Sequence, residues 1–225
     1  MKKISFFLIT CMLFALSCEK NDQNSLDSND IQSFVLSMEL EVYSGNLKDI
    51  SPSRDIINTD FFDKMTLFKN AKSSTDIEKA SLTLGLNRAK DYELDLTFEE
   101  EQIYKSFFSI MEERLIDEKL AICDLFMAEL EVVHLHRNIK DKIIYTISGY
   151  RDLIVFLNSE NKIDTSNSKG AEWDCPYRSC FDCCMTSKLQ DVEDGNWIDK
   201  ALFMSAFYIN IPAMGASCAW DCAFQ

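Results

Sequence analysis

Apolar residues recur at helical spacing along most of this chain. Ile31, Phe34, Val35, Met38 and Val42 share one face, following Asn29 and Asp30 as a helix start. Ser51, Pro52 and Ser53 mark a loop over residues 50–59. Phe61, Phe62, Met65 and Phe68 then define a short second helix. Thr75 and Glu78 have the spacing of a capping box, which predicts a helix from there to about Ala89. Thr97 and Glu100 form another such pair. Behind it, Ile103, Phe107, Met111, Leu115, Cys123, Phe126, Leu130 and Val133 keep a period near 3.6, with no proline or glycine before Gly149. That stripe predicts either one helix of about 40 residues, near 60 Å long, or two helices with a bend. Ile139, Ile143, Ile147, Tyr150, Ile154 and Leu157 mark the next helix. Residues 30–158 therefore read as an all-α, irregular helical bundle.

Residues 159–170 are polar and turn-rich, which sets a boundary. After it, Pro176 can start a helix through about Leu189, and residues 191–195 read as an acidic loop. Asn196 can cap a helix from Trp197 to about Asn210. Pro212 can end that helix and start a last one through Ala223. The chain thus divides into a signal (1–17), a flexible tether (18–29), a helical body (30–158), a linker (159–170) and a cysteine-rich helical module (171–225).

The signal rests on Met1, Lys2 and Lys3, an almost wholly apolar run from Ile4 to Leu16, and the small Ser17 before Cys18. The run is shorter than the ~20 residues a membrane-spanning helix needs. Ala15, Leu16, Ser17 and Cys18 resemble the lipobox of bacterial lipoproteins, with alanine where that class usually has leucine. The resemblance implies cleavage before Cys18 and acylation of that residue. It also implies attachment to a membrane through the lipid, in the cell envelope. The following EKNDQNSLDSND holds one apolar residue in twelve, a composition expected to stay flexible. Its acidic residues are similar to the surface-export signals of some Bacteroidetes lipoproteins. That implies an outer-membrane location with the periplasmic or outer side left open.

Charge narrows the partners. Residues 1–17 carry two lysines, so the remaining chain has 21 basic and 37 acidic residues, a net charge of −16. Such a chain is repelled by nucleic acid and by anionic lipid headgroups. Six glycines and three prolines in 225 residues argue against an all-β fold, which uses more of both in turns.

The body offers little chemistry. Its only histidines are His134 and His136. Glu131 and His134 have the spacing used in di-iron helical bundles, but that site needs a second such pair. Cys123 lies on the apolar stripe, as a buried small hydrophobe would. No phosphate loop, nucleophile elbow or paired-carboxylate motif is present, and no residue pattern implies a cofactor or a metal.

The tail is different. Cys175, Cys180, Cys183, Cys184, Cys218 and Cys222 fall within its last 51 residues. An even set in a short exported segment predicts a disulfide framework. Cys180 and Cys184 are four apart, as are Cys218 and Cys222, so each pair lies on one helix face. Two such pairs can staple two helices, leaving Cys175 to pair with Cys183. One intervening helix suggests that the outer two run parallel, which would pair Cys180 with Cys218 and Cys184 with Cys222. The alternatives are a zinc site or a thiol-redox site at Cys180 and Cys183. The first lacks histidine, and the second lacks a surrounding βαβ pattern.

Residues 201–220 contain no charged side chain. Burial in a stapled core is the reading favoured over membrane insertion. Their last stretch, Pro212 to Cys218, is faintly similar to halocin-type cysteine-rich peptides, which would imply a secreted effector. The sequence as a whole reads as an exported, lipid-anchored protein with a non-catalytic interaction or structural role. One alternative is a precursor that releases a C-terminal cysteine-rich peptide by cleavage at 159–170. A thiol-redox protein is a weaker one.

Overall fold

A computed structural model describes residues 22–44, 47, 51–86, 96–112, 114–158 and 179–223, with side chains from residue 30 onward. Nine helices and no strand occur among the described residues. They are α1 (Asp22–Tyr43), α2 (Thr59–Lys69), α3 (Ser74–Thr83), α4 (Phe98–Met111), α5 (Ile116–Val132), α6 (Arg137–Asn158), α7 (Cys180–Asp194), α8 (Trp197–Ser205) and α9 (Phe207–Ala223). The all-α bundle and its stapled C-terminal helices are as the pattern predicts.

Helix α6 is the axis. It touches α2, α4, α5, α7, α8 and α9. Its last two turns are buried on every side, from Tyr150 through Leu157. The apolar stripe read from Ile139 to Leu157 is the part of α6 that faces these neighbours.

The long stripe is two helices. Thr97 caps α4 as expected: its Oγ1 accepts from Glu100 N–H at 3.2 Å, and Glu100 Oε2 accepts from Thr97 N–H at 2.9 Å. The helix stops at Met111 without proline or glycine. A new start follows, in which Glu118 Oε2 accepts from the Leu115 N–H at 3.1 Å. The bend lets Phe107 and Phe126 meet edge to face at 5.2 Å. A straight rod would hold them apart.

Several boundaries differ from the sequence reading, each for a local reason. Helix α1 begins at Asp22, inside the stretch read as a tether. Helix α3 is capped by Ser73, whose Oγ accepts from Asp76 N–H at 3.2 Å, and not by Thr75. It ends at Thr83 because Gly85 adopts φ +74°, the left-handed conformation that closes helices. Helix α7 runs on through the predicted acidic loop to Asp194, because Met185, Leu189 and Val192 continue its apolar face.

The largest departure is at the tail's second helix. The chain breaks at Ala206 rather than at Pro212, and α8 and α9 meet at 98°. The Asn210 side-chain amide donates to the Phe203 carbonyl at 3.0 Å, serving an acceptor that the end of α8 leaves open. Pro212 sits inside α9. The corner sends α8 against α4 and α9 against α2, α3, α6 and α7.

The uncharged run 201–220 is consequently largely interior. Ala201, Phe203, Met204, Phe207, Ile211, Cys218 and Ala219 are all buried. They belong to the same apolar core as Phe62, Met65, Phe107, Phe126 and Tyr150. No single helix among the described residues is long and apolar enough to cross a membrane.

Candidate functional site

The cysteines converge where α7 and α9 lie side by side. Cys180 is bonded to Cys222 and Cys184 to Cys218, with Cα–Cα distances of 5.8 and 5.6 Å. The double staple predicted from the i, i+4 spacing is therefore present, but antiparallel, which corrects the pairing of Cys180 with Cys218 and Cys184 with Cys222. The reason is the corner at Ala206. The parallel pairing assumed a full reversal of the chain at each end of the one intervening helix. A corner of 98° replaces the second reversal, so α9 runs against the direction of α7. Cys183 is disulfide-bonded as well. Its expected partner, Cys175, and the lipobox residue, Cys18, lie outside the described residues.

The two staples differ in setting. Cys180 is exposed at the first residue of α7 and Cys222 is half-buried. Cys218 is fully buried and Cys184 packs against the core. Cys123 is a free thiol on α5 with no exposed surface. Burial, with the neighbouring Asp124 carboxylate, pushes its pKa up, which keeps it an unreactive thiol.

Buried charges surround this junction, and each holds segments together. Lys69 at the end of α2 lies 2.8 Å from Asp182 of α7. Asp182 also accepts from the Ser179 hydroxyl at 2.6 Å, while its N–H donates to that hydroxyl, capping α7. At the other end of α7, Glu193 receives Lys119 at 2.5 Å and the Tyr150 hydroxyl. Burial first, then Glu193, holds the Tyr150 phenol well above its ordinary pKa.

Arg151 is 2% exposed, the most enclosed cation among the described residues. Its Nε donates to Asp124 at 2.6 Å, and its terminal nitrogens donate to the carbonyls of Ser53 (2.5 Å) and Asp55 (2.9 Å). Asp152 next to it accepts from the N–H groups of Ile57 and Asn58 at 3.0 and 2.7 Å. Residues 53–58 have no helix of their own, so this pair supplies the hydrogen bonds that their backbone would otherwise lack. Sequence reasoning passed over Arg151 and Asp152. The available signal was two charges placed among the apolar positions of α6.

A cleft of about 450 Å³ opens between α4, α5, α6 and α7. Phe108, Met111, Ile154 and Leu157 are among its lining residues, and Lys119, Glu193 and Asp194 add charge to it. Glu131 and His134 do not form a metal pair: α5 ends at Val132, and both residues are exposed around the turn that follows. Among the described residues no cluster of histidine, cysteine or carboxylate side chains is placed to hold a metal. No protein-family model matches this chain, and no curated protein or solved structure matches it either.

Proposed function

We propose that this chain is an exported, lipid-anchored helical protein with a non-catalytic interaction or structural role. It is held to the cell envelope through acylated Cys18. The observation that carries the reading is the pair of disulfides joining α7 to α9. Such bonds persist in oxidising compartments outside the cytosol, the destination that the basic start, the apolar run and Cys18 imply. The non-catalytic part is supported by the polar groups near the staples. Lys69, Asp182, Lys119, Glu193, Arg151 and Asp152 are engaged in joining one helix or loop to another.

The released-peptide alternative fits the packing poorly. Cleavage at 159–170 would free a peptide only if α7, α8 and α9 left the body. That would uncover Phe207, Ile211 and Met204 together with their partners in the body. A thiol-redox role for Cys180 and Cys183 as a dithiol pair is weakened by their pairing, because Cys180 is bonded to Cys222 instead.

The test is the intact mass of the protein extracted from its native membrane, with Cys18→Ser beside it. A mass that includes the acyl chains, and loss of membrane retention in the variant, support the reading. A wild-type protein without lipid that fractionates as soluble would overturn it.

A further inference from the structure

We infer that Cys180–Cys222 is a thiol–disulfide exchange site, open to an external dithiol, whereas Cys184–Cys218 is a permanent staple. The inference goes beyond the anchoring role and holds whether or not Cys18 is acylated.

The two bonds join the same two helices, so their loops are alike and their difference is one of access. A thiolate attacking a disulfide needs a clear approach to one sulfur. Cys180 is exposed, and as the first residue of α7 it stands outside the core. Cys218 is fully buried, and Cys184 is packed against core residues. The inner bond offers an attacking thiolate only the half-buried Cys184 sulfur, packed against the core, and its other sulfur lies on the face of α9 buried against the rest of the fold. The outer bond offers the exposed Cys180 sulfur.

The exchange balances with one dithiol. Its first thiolate attacks the Cys180 sulfur, forming a mixed disulfide and releasing the Cys222 thiolate, which takes up a proton. The second thiol of the reagent loses its proton and attacks its own sulfur in the mixed bond. Cys180 leaves as a thiolate and takes up the proton that the second thiol lost. The reagent departs as a disulfide, and the protein gains two thiols and two electrons. Position favours this last step: a thiolate at the first turn of a helix faces the open N–H groups and the positive end of the helix dipole, so Cys180 is a stabilised leaving group.

Opening the outer bond frees only the ends of the two helices. The terminal turn of α9 is released, while the inner staple and the buried face of α9 hold the rest. The device is a C-terminal turn that can be untied without unfolding the core.

The test uses the full mature chain under native conditions. Dithiothreitol is added in graded amounts, samples are quenched by alkylation, and labelled cysteines are mapped by mass spectrometry while helix content is followed by circular dichroism. The decisive comparison is Cys222 against Cys218. Cys222 is expected to be labelled at least about tenfold faster, with helix content retained. Equal labelling of the two, earlier labelling of Cys218, or loss of helix with the first label would overturn the inference. A small folded protein carrying a dithiol serves as a second reagent. It should open the same bond, and failure to do so where dithiothreitol succeeds would reject exchange with a protein partner.

Discussion

Lys69 Nζ lies 2.8 Å from Asp182 Oδ2, and this ion pair joins the last residue of α2 to the first turn of α7. Both side chains are largely buried, at 14% and 4% exposure. A charge enclosed to this degree needs its partner. Lys69→Met should leave the Asp182 carboxylate uncompensated and destabilise the fold by about 3–5 kcal/mol. Adding Asp182→Asn should restore most of the loss, since the amide keeps the contact with Ser179 without a charge. Denaturant unfolding of the two single variants and the double variant measures this. Equal stability of Lys69→Met and wild type would show that the pair does not hold the junction.

Gly149 sits in the middle of α6, where alanine would ordinarily favour the helix. A Cβ there would fall 2.5 Å from the Tyr208 hydroxyl and 2.7 Å from a Phe207 ring carbon. Helix α9 starts against this notch. Gly149→Ala should therefore cost about 1–3 kcal/mol by overpacking, against a helix gain of about 1 kcal/mol. The expected outcome is a melting temperature lowered by several degrees. A raised melting temperature would mean that α9 does not approach α6 this closely.

The shared core predicts that body and tail unfold together. Disulfides contribute about 2–4 kcal/mol each, so a tail built as a separate stapled module would melt first once reduced. Here Phe207 and Ile211 of the tail are buried in one core with Phe62 and Tyr150 of the body. Reduction should lower stability yet leave one cooperative transition. Cutting an engineered protease site within residues 159–170 should leave two fragments that co-elute. Two separate transitions, or free release of the C-terminal fragment, would revive the modular arrangement and with it the released-peptide alternative.

Alkaline titration tests the interior. Burial raises the phenol pKa of both Tyr104 and Tyr150. Both are held neutral when folded, while the unfolded chain ionises near pH ~10. Their contribution to stability is thus complete below about pH 10 and falls as pH rises beyond it. Phenolate absorbance should show these two tyrosines titrating only as helicity is lost. Cys123 follows the same logic. It should resist alkylation in the native protein and be labelled in the unfolded, unreduced chain. Early ionisation of all tyrosines, or native labelling of Cys123, would contradict the packed core around α6.

The sequence by itself determined the helical class, much of the apolar face of each helix, and the Thr97–Glu100 cap. It also determined that two cysteine pairs spaced by four would staple two helices. These are local properties: a 3.6-residue period, a capping side chain and an i, i+4 spacing are written within one turn or a few. Tertiary structure decided what covers each face. It placed a corner at Ala206 that makes the staples antiparallel, gave Lys69 and Asp182 to each other across 113 positions, and put Tyr208 where Gly149 leaves room. A periodic stripe tells that a helix has a buried side but not which neighbour lies on it. One reversal of the chain changes every pairing beyond it without altering the pattern that produced the helices.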